Sequence, residues 1–403
     1  MKNEFLFIGF LIPPKEMEEI LNIDKYPQIQ TYKFITNITK GIEFSEECNF
    51  TYLSSRPVSD YPDYPLKYIK GRKFNYKIND KDVSIHEITF INIGIMKIIS
   101  RFLTTIFRAI NIYNKKTNKK GIVVYSVHIP FMAVGYILSL VYNIDFITLW
   151  TDPPAVISER DSVFKNLFRR IELSCAKFLM RKSTKIIALT KDLANDFAPQ
   201  KPTLIIEGVV DVKDANNKIA SNLTDGVFKI VYTGSIEQKY GIDNLVNAIK
   251  RIHSDFVSLE IYGNGSYEKD LVQLIGQDQN ISYHGFIPNE EVINVQRDSN
   301  LLINVRPVNE SYVKYSFPSK TLEYMLSGVP VLTTRLPGIP SDYFNYVYNI
   351  PDNSVETIVN EIKRIINIPN DERRKKAKEA MKYAESKNYI NQGKKIIKFI
   401  NHV

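Results

Sequence analysis

The chain has 403 residues, of which 44% are hydrophobic and 24% charged, and its formal net charge is +9. This length favours two domains, and the composition is typical of a chain that folds around a sizeable core. The two cysteines, Cys48 and Cys175, are too few for a disulfide framework and form no C-x-x-C motif, which favours a reducing compartment and gives no sign of a cysteine-based metal or redox site.

The first residues, MKNEFLFIGFLIPPKE, contain an apolar run that resembles a signal peptide. The run is short, is broken by Pro13 and Pro14, and has no small-residue cleavage site after it, so we expect a buried first strand. The later apolar stretch 131–151 is interrupted by Asn143 and Asp145, which predicts a helix followed by a strand and not a membrane span. We therefore expect a cytoplasmic protein that is soluble, or peripheral on the inner face of the cell membrane.

Short β-branched runs alternate with longer helical patterns, which predicts parallel sheets covered by helices. The predicted strands of the first half are 4–11, 48–54, 121–127, 145–150 and 185–189, with helices near 95–113, 131–142 and 162–182 and another that begins at Thr190. The predicted strands of the second half are 204–207, 228–233, 257–262, 281–284, 300–305 and 330–334, with helices near 241–253, 266–275, 289–297, 319–327, 355–367 and 371–403.

The polar stretch 211–226 reads as a linker between two open α/β domains that face a cleft. The predicted domains are 1–210 and 211–385, and a final helix, 386–403, is long enough to cross back to the first domain. Ligands of such sheets bind at the carboxyl ends of the strands.

Much of the positive charge lies in two segments of the first half. Segments 97–120 and 164–185 each contain seven Lys or Arg residues, and Glu172 is the only carboxylate in either. Both have apolar residues at helical spacing: Ile98, Ile99, Phe102, Leu103, Ile106 and Ile110 in the first, and Phe164, Leu167, Phe168, Ile171, Cys175 and Phe178 in the second. Either these apolar faces pack into the domain and the charges are solvated, or the helices contact an anionic membrane surface.

Two loops of the second half have the composition of a phosphate site. Residues 228–249 read as a strand, a loop with Gly234 and a helix, and Lys239 adds a positive charge. The stretch 259–271 ends a strand in Gly-Asn-Gly, with Gly263 at the same predicted edge. The alternative for each is an ordinary turn between a strand and a helix.

The stretch FPSKTLEYMLSGVPVLTT, 317–334, places a carboxylate inside an apolar helical pattern. Ser319 is a suitable N-cap, and Lys320 stands beside the free amides of the first turn, where an anion is stabilised. Glu323 lies about one turn further on, and a partly buried carboxylate needs donors. A ribose diol offers two hydroxyl donors, and the alternatives are backbone amides or a pair with Arg306 or Lys314.

These motifs resemble those of the retaining glycosyltransferases of family 4. The strand, loop and helix of 228–249, the G-x-G at 263–265, HGFIPNEEV at 284–292 and SKTLEYMLSGVPVL at 319–332 occur in the order and spacing of that family. The resemblance covers nearly all of 120–400 and implies the GT-B fold of two facing Rossmann-like domains, an acceptor-side domain first and a nucleotide-sugar donor domain second.

The resemblance also implies roles for single residues of the donor domain. Glu323 looks like the second glutamate of the family's E-x7-E element, which holds the donor ribose, and Tyr315 stands where the first glutamate is expected. Ser235 replaces the usual arginine after the loop glycine, and Tyr240 replaces the usual lysine, with Lys239 one place earlier.

Because of these departures, we expect Lys239, Arg306 and Lys320 to share the phosphate role, and the backbone around Phe286 to hold the base. In the first domain, the resemblance places His128 near the transferred sugar and Asp152 at the end of the next strand. The alternatives are a structural histidine and an aspartate that caps the Pro-Pro turn.

The sequence predicts a retaining glycosyltransferase that uses a nucleotide diphosphate sugar, most commonly a UDP-sugar in this family, and a saccharide acceptor carried by a lipid in capsule or exopolysaccharide synthesis. The one D-x-D string, Asp80-Lys81-Asp82, lies far from the motifs, so we expect no metal and no other cofactor. The alternatives are a catalytically silent GT-B-like binding or partner subunit and a nucleotide-sugar 2-epimerase. Nucleic-acid binding is disfavoured because no recognition motif accompanies the basic helices.

Overall fold

The computed structural model describes residues 2–154, 163–211 and 226–402. They divide into two compact units, the first made of residues Met1–Val209 and Tyr389–Val403 and the second of Val210–Asn388. The predicted linker 211–226 lies almost wholly outside the described residues.

The first unit is built on an eight-stranded sheet in the order β10-β9-β8-β7-β1-β2-β5-β4. All of its neighbouring strands are parallel except β4 and β5, which form an antiparallel hairpin at one edge, and β3 and β6 pair separately. The strands are β1 Asn3–Gly9, β2 Cys48–Ser54, β3 Tyr68–Ile69, β4 Lys73–Ile78, β5 Lys81–Glu87, β6 Phe90–Ile91, β7 Lys119–Tyr125, β8 Asp145–Trp150, β9 Lys185–Ala188 and β10 Thr203–Ile205.

Six helices accompany these strands in chain order: α1 Pro14–Ile23, α2 Ile29–Glu43, α3 Gly94–Tyr113, α4 Ile129–Tyr142, α5 Val163–Lys182 and α6 Lys191–Phe197. The central strands are buried along nearly their whole length, because helices cover both faces of a parallel sheet. Thr190 caps α6 by accepting a hydrogen bond from the Leu193 amide at 3.2 Å, as the sequence predicts for a helix that begins there.

The second unit contains an all-parallel, six-stranded sheet in the order β13-β12-β11-β14-β15-β16. Its strands are β11 Phe228–Thr233, β12 Val257–Tyr262, β13 Ile281–Tyr283, β14 Leu301–Asn304, β15 Val331–Thr334 and β16 Tyr348–Ile350. Its helices are α7 Ile242–Ile252, α8 Glu268–Ile275, α9 Asn289–Arg297, α10 Ser319–Leu326, α11 Val355–Ile366 and α12 Asn370–Glu385. Because the strand order reverses at β11, the loops after β11 and β14 lie at the topological switch point of this sheet.

The predicted helix 371–403 is two helices, since a turn at 386–388 separates α12 from α13 Tyr389–Asn401. α13 belongs to the first unit and packs against α2. Their backbones approach so closely that a Cβ on Gly393 would lie 2.1 Å from the Gly41 carbonyl oxygen. The α/β class and a last helix that returns to the first unit are therefore confirmed.

Most of the apolar residues of α3 lie outside the core. Its buried positions are Lys97, Arg101, Thr105, Ala109 and Tyr113, which recur at a spacing of four. Its exposed side instead carries Ile95, Met96, Ile98, Ile99, Leu103 and Phe107, each at least 38% exposed. The alternative in which this helix packs its apolar face inward and solvates its charges holds only in part. Phe102, Ile106 and Ile110 are partly buried, but Ile98, Ile99 and Leu103 are exposed, and the inner side of α3 holds two buried cations.

The neighbouring helices expose apolar side chains as well. α4 packs between α3 and α5, and it exposes Leu140 and Val141 by 64% and 67%. On α5, Ile171 and Phe178 are more than half exposed, whereas Phe164, Leu167 and Phe168 lie outside the described side chains. We refer to Ile95, Met96, Ile98, Ile99, Leu103, Phe107, Leu140, Val141, Ile171 and Phe178 together as the apolar helix surface. No helix in the described parts of the chain combines the length and the hydropathy that a membrane crossing requires.

Candidate functional site

Three loops meet at the carboxyl edge of the sheet in the second unit. The Gly263 amide donates to the Gly285 carbonyl oxygen at 2.8 Å, and the Gly234 amide donates to the Tyr262 carbonyl oxygen at 2.9 Å. Gly263 has a φ of +136°, and a Cβ there would lie 1.7 Å from the Gly234 carbonyl oxygen. Glycine is thus required at 263 for both its conformation and its space, and the two predicted glycine loops are in direct contact.

Side chains join the same loops. Ser266 donates to both carboxylate oxygens of Glu237, through its amide at 3.1 Å and its hydroxyl at 2.6 Å, and these bonds lower the pKa of Glu237. The Ile236 amide donates to the Asn264 carbonyl oxygen at 2.9 Å. The loop after β11 is therefore held in one conformation by the loop after β12, so its backbone can be preorganised for a ligand.

Tyr324 fixes α10 to the end of β11, a role that our sequence reasoning missed. Its hydroxyl accepts a hydrogen bond from the Thr233 amide at 2.9 Å and donates to the Thr233 carbonyl oxygen at 2.9 Å, and the side chain is fully buried. Gln296 donates to the Thr233 hydroxyl at 2.8 Å. Thr233 immediately precedes Gly234, so these bonds set the position of the glycine loop relative to the first turn of α10.

The first turn of α10 presents Lys320 and Glu323. Lys320 Nζ lies 2.7 Å from Glu323 Oε2, and the Glu323 side chain is 37% exposed. Burial disfavours the charge of Lys320, but the nearby Glu323 carboxylate outweighs this effect and raises the pKa of Lys320. Glu323 therefore has Lys320 as its protein partner, and not the Arg306 or Lys314 of the sequence-based alternatives.

Ser319 is not the N-cap of α10. The helix begins at Ser319, its N-cap is Pro318, and no side chain caps it. Proline and the exposed Ser319 leave the first-turn amides without a side-chain acceptor, and such amides stabilise an anion. The expectation of a serine cap is wrong. The Thr321 amide donates to the Pro318 carbonyl oxygen at 2.9 Å, and the amides of Ser319 and Lys320, which have no hydrogen bond within the described residues, can stabilise an anion.

Two further cations flank the aromatic ring of Tyr240. The Arg306 guanidinium lies 4.2 Å from the ring centroid, and Lys239 Nζ lies 5.4 Å from it. Arg306 Nε is buried and has no hydrogen-bond partner within the described parts of the chain. The Arg306 charge also acts on Lys320, which places these two cations within electrostatic reach of each other. Tyr240, which stands at the position of the lysine in the resemblance described above, thus stabilises the two cations beside it through its aromatic ring.

The remaining predicted donor residues occupy more open positions. Ser235 is exposed and accepts the Tyr232 hydroxyl at its carbonyl oxygen, 3.0 Å away. Phe286 follows Gly285 and is 71% exposed. Tyr315 is partly buried, and Lys314 Nζ lies 4.7 Å from the centroid of its ring. The functions assigned to these three residues stay predictions.

In the first unit, His128 follows β7 and Asp152 follows β8, and these strands are parallel neighbours. His128 Nε2 lies 3.4 Å from the Arg101 guanidinium, so Nε2 accepts and the ring proton is on Nδ1. Burial, with the charges of Arg101 and Lys97, holds the pKa of His128 well below its usual value. Asp152 is exposed and accepts the Thr151 hydroxyl at 2.8 Å, and residues 155–162, which follow the Pro-Pro turn, lie outside the described residues.

Within the second unit the structure brings together the Gly234 loop, Arg306, Lys239, Lys320 and Glu323. A glycine edge of fixed conformation, three cations and a helix N-terminus can bind a diphosphate, and a half-exposed carboxylate can accept ribose hydroxyls. Among the described residues, no group of three or more His, Cys, Asp or Glu side chains is arranged to hold a metal ion.

Comparison with known proteins agrees with this geometry. Residues 213–384 match the family model described as Glycosyl transferases group 1. No curated protein matches the chain by sequence.

Solved structures match over the whole chain. OtsA is 8% identical with a TM-score of 0.68 over 99% of both chains. HepE from Anabaena in complex with UDP is 14% identical with a TM-score of 0.63 over 100% of both chains. Sucrose-phosphate synthase from Thermosynechococcus elongatus is 14% identical with a TM-score of 0.65 over 98% of both chains. At these identities the matches establish the GT-B fold, and together with the group 1 domain at 213–384 they identify the chain as a glycosyltransferase.

Proposed function

We propose that the protein transfers a sugar, with retention of anomeric configuration, from a UDP-sugar to a saccharide carried by a lipid, in the synthesis of a capsule or exopolysaccharide. The observation that carries the donor assignment is the arrangement at the start of α10, where Lys320 and Glu323 stand beside free helix amides and the Gly234 loop. HepE has been solved with UDP and with UDP-glucose, which supports uridine as the base. The retaining mode rests on the resemblance of this element to family 4.

In the proposed reaction the bond between the anomeric carbon and the diphosphate oxygen breaks, and a bond from the acceptor hydroxyl oxygen to that carbon forms on the same face. The acceptor proton passes to the leaving diphosphate. Arg306, Lys239, Lys320 and the first-turn amides of α10 stabilise the charge that develops on this group. Tyr315, His128 and Asp152 are proposed to contact the sugar or its acceptor, and no resident metal or other cofactor is proposed.

The apolar helix surface supports a peripheral contact of the first unit with the inner face of the cell membrane. Exposed apolar patches of this kind occur where proteins meet membranes or partners. Arg108 on α3 and Arg170, Arg181 and Lys182 on α5 are exposed near it, and cations next to an apolar face favour anionic lipids. The predicted segments 97–120 and 164–185 thus supply the membrane contact, through their exposed apolar side chains as well as their charges.

The donor and the stereochemistry are tested by incubating the protein with UDP-glucose, UDP-galactose and UDP-N-acetylglucosamine in the presence of a membrane lipid extract. Product formation with α-configured donors should give an α-linked product by NMR, and EDTA should leave the rate unchanged. A β-linked product contradicts the retaining mode, and conversion of the donor without any acceptor favours the 2-epimerase.

Vesicle sedimentation tests the membrane contact separately. The wild type should co-sediment with vesicles that contain phosphatidylglycerol, and Leu103→Asp should reduce the bound fraction at least fivefold. Phe256→Asp is the matched control, because Phe256 is 74% exposed in the second unit and should not contribute. Equal loss in both variants, or none in either, contradicts the contact.

A further inference from the structure

The first unit contains a pocket that is separate from the residues assigned to the diphosphate and the ribose. It has a volume of about 500 Å³ and is lined by Asp60, Ile95, Lys97, Ile98, Arg101 and His128. Four of these residues come from the buried and exposed sides of α3, and His128 lies between β7 and α4. The pocket thus joins the cationic interior of the unit to its apolar exterior.

Arg101 is a buried cation with an incomplete set of partners. It is 6% exposed, and its guanidinium donates to the Arg56 carbonyl oxygen at 2.9 Å, while Nε has no partner within the described residues. The guanidinium lies 4.4 Å from the Phe90 ring centroid. No carboxylate among the described residues is in contact with it, although a buried charge without a counterion is strongly disfavoured.

The carboxylates in contact with Arg56 and Lys97 are already paired. Glu16 and Glu87 both bind Arg56, which leaves neither to neutralise Arg101. Asp60 binds Lys97 at 2.6 Å, and Asp60 is the one carboxylate in the pocket lining. The lining therefore has an excess of one positive charge at neutral pH.

His128 adds a hydrogen-bond donor without adding a charge. Its Nδ1 is buried and has no partner in the described parts of the chain, and the contact of Nε2 with Arg101 assigns the ring proton to Nδ1. The low pKa of the ring agrees with a neutral imidazole. The Nε–H of Arg101 and the Nδ1–H of His128 are thus two buried donors without a partner among the described residues, and both belong to side chains that line this pocket.

The outer wall of the pocket belongs to the apolar helix surface. Ile95 and Ile98 line the pocket and are 56% and 38% exposed. Met96, Ile99 and Leu103 follow on the same helix, each more than 40% exposed. If the anionic group of a ligand lies in the pocket, the part of the ligand that extends out of the pocket therefore runs along apolar side chains.

We propose that this pocket binds the phosphate of the lipid-linked acceptor, with Arg101 and Lys97 on the phosphate and the first part of the hydrocarbon chain along Ile95 and Ile98. The inference rests on the proposed function, since it names the part of the acceptor that the first unit recognises. A phosphate that carries a hydrocarbon chain fits both walls of the pocket. A free sugar phosphate would contact only the cations, and a neutral lipid would contact only the apolar wall.

Calorimetric titration with farnesyl diphosphate, below its critical micelle concentration, tests the pocket without donor or turnover. The wild type should bind farnesyl diphosphate at least tenfold more tightly than inorganic diphosphate. Arg101→Gln should weaken the binding of both ligands at least tenfold, whereas Lys33→Gln, which removes an exposed positive charge on α2 of the same unit, should change neither.

An uncharged substitution, Ile98→Asn, tests the apolar wall apart from the cations, and it also covers the case in which the Arg101 variant does not fold. Because Ile98 is partly exposed, its replacement should leave the fold intact. The affinity for farnesyl diphosphate should fall at least fivefold, and the affinity for inorganic diphosphate should stay within twofold of the wild-type value. Equal affinity of the wild type for the two diphosphates overturns the lipid part of the proposal, as does unchanged binding of farnesyl diphosphate by Ile98→Asn. Unchanged binding in Arg101→Gln, or binding only to phosphatidylglycerol vesicles, overturns the pocket. UDP binding is measured on the same samples, so failure of the donor assignment is recognised independently.

Discussion

Replacement of Tyr324 by phenylalanine should destabilise the second unit and weaken donor binding together. The hydroxyl bonds both the amide and the carbonyl of Thr233 at 2.9 Å, and the side chain is fully buried, so water cannot replace it. Leaving a buried backbone group unsatisfied costs about 1–3 kcal/mol, and the loss of this link should therefore lower the free energy of unfolding by about 2 kcal/mol. Thr233 precedes Gly234, so the affinity for UDP should fall severalfold as well.

Hydrogen exchange is the suitable assay for this variant. The one tryptophan, Trp150, is buried in the first unit, so its fluorescence does not report on the second. Exchange of the β11 amides, followed by mass spectrometry in increasing urea, measures the opening of the sheet that Tyr324 stabilises. Tyr68→Phe is the control, because Tyr68 is 60% exposed and lies in the first unit. If Tyr324→Phe lowers the free energy of opening by less than about 0.5 kcal/mol and leaves UDP binding unaltered, the role assigned to the hydroxyl is refuted.

Three other predictions concern a histidine, a helix crossing and a lysine. His128 stays neutral in the folded state, whereas a histidine in the unfolded chain takes up a proton below pH 6.5. The free energy of unfolding should therefore fall as the pH is lowered through 6.5, by about 1.4 kcal/mol between pH 7.5 and 5.5. Trp150 fluorescence in urea measures this loss, and His128→Gln should be less sensitive to pH by that amount. Gly393→Ala should destabilise the first unit by about 2 kcal/mol in the same assay, because the added Cβ meets the Gly41 backbone. Lys394→Ala, at the exposed position next to it on α13, should be neutral. Lys320→Gln should lower the affinity for UDP about tenfold in calorimetry and leave the affinity for uridine unchanged. Equal effects on the two affinities contradict a phosphate role for this lysine.

The strands of the second unit could be predicted from sequence because each is a short apolar run with clear breaks. The predicted strands 228–233 and 257–262 have the observed bounds, and 281–284 is one residue too long. In a parallel sheet both faces are covered, so the hydrophobic signal is nearly continuous and strong. The element missed in this unit is β16, Tyr348–Ile350, which has only three residues and lies at the edge of the sheet.

The early part of the first unit could not be predicted in this way. Helices α1 and α2, over Pro14–Ile23 and Ile29–Glu43, were not expected, and neither were the strands of the β4–β5 hairpin. The hairpin alternates polar and half-buried residues, and its turn places Asn79 and Asp80 at φ values of 50° and 62°. The D-x-D string of the sequence is part of this turn and the strand that follows, which explains the polar composition without a metal.

The orientation of α3 shows a limit of reasoning from periodicity. A helical pattern shows that apolar and charged residues lie on opposite sides, but it does not show which side faces the sheet. Here the sheet side takes Lys97 and Arg101, because the carbonyl oxygens of Val58 and Arg56 and the Asp60 carboxylate are available to them. These acceptors come from a loop whose position depends on tertiary structure.

The donor site was predicted in part. Motif resemblance identified Gly234, Gly263, Lys320 and Glu323, which the structure places in one region of the second unit. Tyr324 was missed because a tyrosine beside a glutamate in an apolar helical pattern is equally compatible with simple packing. Only the tertiary structure brings its hydroxyl to the Thr233 backbone.

The central claim is that the second unit binds a nucleoside diphosphate through Glu323 and its surroundings. The most direct test is calorimetric titration with UDP, GDP and ADP of the wild type, Glu323→Ala and the control Glu356→Ala, an exposed glutamate in the first turn of α11. We expect UDP to bind best, Glu323→Ala to lose at least tenfold, or about 1.4 kcal/mol, and Glu356→Ala to match the wild type. Equal binding of UDP by the wild type and Glu323→Ala, or no binding of any of the three nucleotides, contradicts the account.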